Sequence, residues 1–194
     1  MKNIVIIQGH PDKTQTHFGH ALAQHYVDGA QQAGHQVQII QVAQLDFPWL
    51  KSDEEFEQGE IPSSLKPAQQ AIAQADHLVF IYPLWLGDMP AILKAFLEQV
   101  FRPGFALGKA DDKQRQGGLL KGKTARIVVT MGMPAFIYRW FYCAHSLKSF
   151  KRNILKFCGI KISGETLIGL MGHASKQRNQ AWLDKMRQLG NKGV

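Results

Sequence analysis

Three stretches of this chain are nearly continuous runs of apolar residues: 3–8 (NIVIIQ), 77–82 (HLVFIY) and 124–130 (TARIVVT). Runs of that length read as strands buried on both faces of a parallel sheet. Two further stretches, 36–42 (QVQIIQV) and the segment within 160–169 (IKISGETLIG), mix polar and apolar positions and read as strands two and five. Between the strands the spacing changes to the helical period. Ala21, Leu22, His25, Tyr26 and Gly29 form one stripe on a helix over about 17–33, which Gly34 stops. Ser63 and Ser64 are good N-cap residues for a helix reaching 75. Pro90 suits the first turn of a helix running on to 101. A helix is expected over 138–157, closed by Gly159, and a last one over 175–189. Segments 46–62 and 102–122 show no clear period and read as an irregular excursion and a long loop.

Strands alternating with helices imply a doubly wound α/β fold on a five-stranded parallel sheet, with strand order 2-1-3-4-5. Ligands of such sheets bind beyond the C-terminal strand ends, where the order reverses. That places the chemistry in loops 9–16, 83–89 and 131–137. With 194 residues, no repeat and no low-complexity linker, the chain reads as a single domain over 1–194.

Loop 9–16 reads GHPDKTQT. It joins a buried strand to a helix start, whose unpaired N–H groups and partial positive charge suit a phosphate. His10, Thr14 and Thr16 can add donors. The loop lacks GxGxxG and the P-loop lysine. Two readings stay open at this point: a phosphate site, or Thr16 as a plain helix cap with His10 ending a strand. In loop 83–89, PLWLGDM, Trp85 stands at the mouth of the crevice and suits a planar ring, and Gly87 permits close backbone approach; packing into the core is the alternative. Loop 131–137, MGMPAFI, offers Gly132 in the same way. Tyr138 and His145, seven apart, would share one helix face and could both donate to a ligand.

The remaining totals narrow the class. No apolar run approaches the ~20 residues of a membrane helix, and no signal-peptide pattern opens the chain. Cys143 and Cys158 lack metal-ligand spacing, so no metal site is expected and a cytoplasmic protein is. The net charge is +8, although segment 51–60 holds five acids and one lysine. The basic residues are scattered and form no nucleic-acid-binding motif, so no nucleic-acid partner is expected.

The opening GHPD…T…AL, the block PLWLGDMPAILKAFLEQVF and the segment ending KFCGIK resemble the flavodoxin-like NAD(P)H:quinone oxidoreductases, from the first strand to about residue 173. The resemblance implies a bound flavin, FAD first and FMN second, and hydride transfer from NAD(P)H to a quinone or similar small acceptor. It implies His10, Thr16, His17 and Phe18 at the flavin phosphate, and Pro83, Leu84, Trp85 and Leu86 at the ring. Thr130, Met131, Gly132 and Met133 match the third flavin loop. Tyr138 falls on a tyrosine placed beside the flavin and the hydride acceptor. The associated histidine falls at Ala144, with His145 one residue on, so Tyr138 and His145 are the candidate catalytic pair. The resemblance further implies a homodimer. Its alternative is a regulatory flavoprotein subunit that docks peripherally on a membrane transporter.

Overall fold

The computed structural model describes residues 1–108, 118–172 and 175–194; the rest of the expected loop 102–122, residues 109–117, lies outside the described residues. Five strands form one parallel sheet: β1 (Asn3–Gln8), β2 (Gln36–Gln41), β3 (His77–Pro83), β4 (Thr124–Thr130) and β5 (Lys161–Ile168), in the order β2-β1-β3-β4-β5. The order reverses between β1 and β3, as expected from the sequence. Alternation within the apolar runs divides the core into two layers. Ile4, Ile6, Val79, Ile81 and Val128 face α1 (Phe18–Gln32) and α7 (Lys176–Lys192). Val5, Ile7, Leu78, Phe80, Ile127 and Val129 face the other side, with α3 (Lys66–Gln74) and α4 (Ala91–Val100). The outer strands β2 and β5 keep polar positions in contact with water, which explains their mixed sequences.

Helices α1 and α7 approach through glycine. A Cβ on Gly29 would stand 2.0 Å from the Arg187 carbonyl oxygen, and one on Gly190 would stand 2.0 Å from that of Tyr26. Segment 46–62 is less irregular than its sequence suggests. It carries a short acidic helix, α2 (Asp53–Gln58), capped by the Ser52 hydroxyl. The segment is pinned by Arg102, which donates to the carbonyls of Glu55 and Gly59, and by Gln99, which donates to that of Pro48.

The expected helix over 138–157 is corrected. It is broken into α5 (Ala135–Trp140), α6 (His145–Ser149) and a π-helical stretch, Phe150–Lys156. The break falls at Cys143 and Ala144, both at positive φ (51° and 47°), a region that non-glycine residues seldom enter. Apolar periodicity continues across the break, and so the sequence alone reads as one helix.

Candidate functional site

A cleft of about 300 Å³ opens at the C-terminal strand ends, at the switch point. All three expected loops contribute to its walls: His10 from the first, with His17, Phe18 and Gly19 from the start of α1 just after it; Pro83, Leu84 and Trp85 from the second; and Met131 and Gly132 from the third, with Thr130 from the end of β4. Met171, from the turn after β5, completes it.

The floor is built by main-chain bonds between the loops. Gly9 N donates to Ile81 O (2.8 Å), Leu84 N to Thr130 O (2.8 Å) and Met171 N to Met131 O (3.1 Å). Among the described residues, the main-chain N–H groups of Phe18, Gly19, Gly132 and Met133 have no protein acceptor. Those of Phe18 and Gly19 open α1, where the helix dipole places positive charge. Gly132 has free space where a Cβ would stand and no left-handed φ. Neither packing nor backbone strain therefore requires glycine there, which leaves approach from the cleft side as the reason for its small size.

The second loop is a tight turn. Trp85 N and Asp88 N each donate to the other residue's carbonyl (2.8 and 3.0 Å), with Leu86 at φ 47° and Gly87 at φ 82° between them. A left-handed, fully exposed leucine is unusual, and it turns Leu86 away from the cleft. Trp85 is half exposed, and its ring meets His10 edge-on at 6.0 Å between centroids.

The first loop holds the densest chemistry. The rings of His10 and His17 stack at 3.8 Å, 18° from parallel. His17 Nε2 donates to Asp12 Oδ2 at 2.7 Å, and Asp12 also accepts from Thr14 N and Oγ1 (2.8 and 2.6 Å). The bond from the Thr14 hydroxyl, then that from His17, holds the Asp12 carboxyl well below the usual carboxylate range. Asp12 N donates to His10 Nδ1 (3.2 Å), and His17 N donates to His20 Nδ1 (3.1 Å). Burial, reinforced by the neighbouring histidines, lowers His10 to about 4, and burial lowers His20 as well. A second, polar pocket of about 280 Å³ lies against the same loop, with Gln8, Lys13, Thr16, His20 and Gln44 among its lining residues.

The candidate residues are therefore divided. His10, His17, Phe18, Pro83, Leu84, Trp85, Thr130, Met131 and Gly132 meet in the cleft, while Thr16 lines the polar pocket beside it. Met133 lies next to the cleft, and Leu86 points to solvent. Neither member of the expected catalytic pair lines the cleft. Tyr138 is 2 % exposed, and its hydroxyl is held by Ser146 Oγ (2.8 Å) and Leu147 N (3.2 Å), away from the cleft. His145 is exposed at the start of α6, beyond the break, so the two do not share a helix face. The sequence reading missed Gly19, Met171, Asp12, His20 and Gln8. Asp12 and His20 sit close to His17 in the chain, which was a usable signal. Met171 depends on the turn after β5 folding back on the third loop and had none.

The chain is similar to known proteins over most of its length. The chain is 32 % identical over 163 residues to a Haemophilus influenzae protein named an uncharacterized NAD(P)H oxidoreductase, covering 82 % of this chain and 79 % of that one. It is 26 % identical over 145 residues to the FMN-dependent NADH:quinone oxidoreductase 8 of Burkholderia lata, covering 68 % of this chain and 66 % of that one. In fold it is similar to the NAD(P)H:quinone oxidoreductase of Methanothermobacter marburgensis, with a TM-score of 0.83, 98 % of each chain covered and 23 % identity. The flavodoxin-like fold family's profile matches residues 2–190, and the chain belongs to that family.

Proposed function

We propose that this protein is a flavin-dependent oxidoreductase that passes hydride from NAD(P)H to a quinone or a similar small acceptor. The observation that carries the reading is the cleft itself: three loops distant in sequence meet at one switch point, around a small, partly apolar space with unpaired main-chain donors. When bound, a flavin supplies the hydride acceptance and two-electron delivery that no side chain provides. The chain's part is to hold and to wall. His10, Thr16, His17, Phe18 and the Gly19 amide sit where a phosphate meets a helix start. Pro83, Leu84 and Trp85 wall the ring on one side, and Thr130, Met131, Gly132 and Met133 border it on the other. The free N–H groups of Gly132 and Met133 are suited to stabilising negative charge at the ring edge. The same reading makes 1–194 one flavin-binding domain.

For the form of the flavin we propose FAD before FMN, because the polar pocket beside the first loop has room for a second phosphate. The FMN in the name of the Burkholderia relative supports the other choice, and the mass of the flavin released on denaturation decides between them. We also propose a homodimer. Phe136, Trp140, Phe141 and Tyr142 are all exposed on and just after α5, an aromatic patch that a second copy would cover. Two free cysteines fit a cytoplasmic setting, and no helix among the described residues is long and apolar enough to cross a membrane.

The purified protein is expected to be yellow and to oxidise NADH or NADPH in the presence of a soluble quinone, with the rate proportional to bound flavin. A colourless protein that fails to take up added FAD or FMN overturns the reading.

A further inference from the structure

Asp12 is held at two points by two stacked rings. Its main-chain N–H rests on His10 Nδ1 (3.2 Å), and its carboxylate accepts from His17 Nε2 (2.7 Å). The carboxylate also takes the N–H and the hydroxyl of Thr14. A carboxylate of the protein therefore engages donors of the loop where a phosphate would bind.

A second observation points to a ligand at this helix start. Gln8 is 2 % exposed and lines the polar pocket; its Oε1 accepts from His10 N, while its Nε2 finds no acceptor among the described residues. That Nε2 lies under the beginning of α1, 3.2 Å from where a Cβ on Gly19 would stand. A buried donor without an acceptor is destabilising, and an entering acceptor oxygen relieves it.

We propose that Asp12 is a proton-coupled latch: a phosphate group enters by displacing its carboxylate from His17 and Thr14, and His10 takes up a proton from solvent as it does so. This rests on the reading of the loop as the flavin-phosphate site.

The charges facing the loop support the coupling. On the loop and α1 they are Asp12, Lys13, His10, His17 and His20. The β2 side presents only the neutral Gln41 and Gln44. The β3, β4 and β5 sides present Trp85, Thr130, Met131 and Met171, none of which titrates near neutrality. Asp12 is therefore the only anion among these lining groups. Like charges a few ångströms apart repel. A phosphate brought beside Asp12 meets that repulsion, and a proton on an imidazole relieves it. His10 stays neutral while Nδ1 accepts the Asp12 N–H. A proton placed on Nδ1 removes that acceptor and loosens the main-chain hold on Asp12, while the carboxylate's own bonds to His17 and Thr14 are given up to the entering phosphate.

The test compares FMN, riboflavin and inorganic phosphate as probes. Dissociation constants are measured from pH 5.5 to 8.5, by flavin fluorescence for the first two and by calorimetry in buffers of different ionisation enthalpy for FMN and phosphate. FMN is expected to bind at least about tenfold more weakly at pH 8 than at pH 6, with uptake of about one proton, while riboflavin shows no such slope. The second ionisation of the phosphate, near pH 6, works in the opposite direction. Asp12→Asn is expected to tighten FMN at pH 8 by about tenfold and to reduce the slope. The latch is overturned if FMN and riboflavin share one pH profile, if FMN affinity rises with pH, or if Asp12→Asn leaves the slope unchanged. If neither flavin binds but inorganic phosphate binds with proton uptake, the latch stands and the flavin reading falls. If none of the three probes binds, both fall.

Discussion

The Arg187 carbonyl oxygen lies 2.0 Å from the point where a Cβ on Gly29 would stand, so α1 and α7 are in backbone contact at a place where no side chain fits. Alanine elsewhere in a helix is worth about 1 kcal/mol over glycine. Here the added methyl forces the helices apart. Gly29→Ala is expected to destabilise the protein by about 1–3 kcal/mol, and Gly190→Ala likewise. Urea unfolding measures both; a gain in stability from either would show that the helices have room to shift.

His77 is fully buried, with Nδ1 bonded to Thr124 Oγ1 (2.7 Å) and Nε2 without a partner among the described residues. Burial, followed by the charges of Lys2 and Arg126, lowers it to about 4. Its folded value lies below the unfolded one near 6.5, so between these values the unfolded chain binds the proton and the native one does not. Stability is therefore expected to fall as the pH drops from about 6.5 towards 4, by about 3 kcal/mol from this residue. His10, lowered in the same sense, acts in the same direction. Unfolding midpoints at pH 7, 5.5 and 4.5 measure the slope, and His77→Leu should flatten it.

Gly132 separates binding from stability. With open space around it and no positive φ, Gly132→Val should unfold within about 0.5 kcal/mol of the parent. The same change puts a branched side chain into the cleft and should weaken flavin binding by at least about tenfold, about 1.4 kcal/mol. A parent-like dissociation constant would remove the third loop from the site.

Trp85 is the exposed wall of the cleft. Trp85→Ala should lower affinity for FMN and riboflavin alike, by about tenfold, because it removes ring contact and leaves the phosphate donors in place. A loss confined to FMN would place Trp85 at the phosphate instead.

The Tyr138 hydroxyl is engaged inside the protein, by Ser146 and Leu147. Tyr138→Phe should cost about 1 kcal/mol of stability. Turnover should stay within about threefold of the parent, since the hydroxyl does not line the cleft. A larger drop in kcat, with flavin still bound, would give the hydroxyl a role at the reacting atoms.

Apolar runs such as NIVIIQ and HLVFIY determined the strands, because a strand buried on both faces has no polar position to spare. Their alternation with helical periods determined the parallel sheet and its switch point, and hence which three loops to examine. Local chemistry placed His10, Trp85 and Gly132 in those loops. Three things were decided only by the tertiary structure. Left-handed backbone at Cys143 and Ala144 broke a helix that periodicity read as continuous, and so took Tyr138 and His145 off a common helix face. The turn after β5 bonded to the third loop and brought Met171 into the cleft, a contact between segments forty residues apart. The stacking of His10 on His17, with Asp12 bonded to both, is a matter of side-chain direction in a turn. Hydrophobic pattern records which face a residue buries; it carries no information about where a polar side chain points, and at this site that direction sets the chemistry.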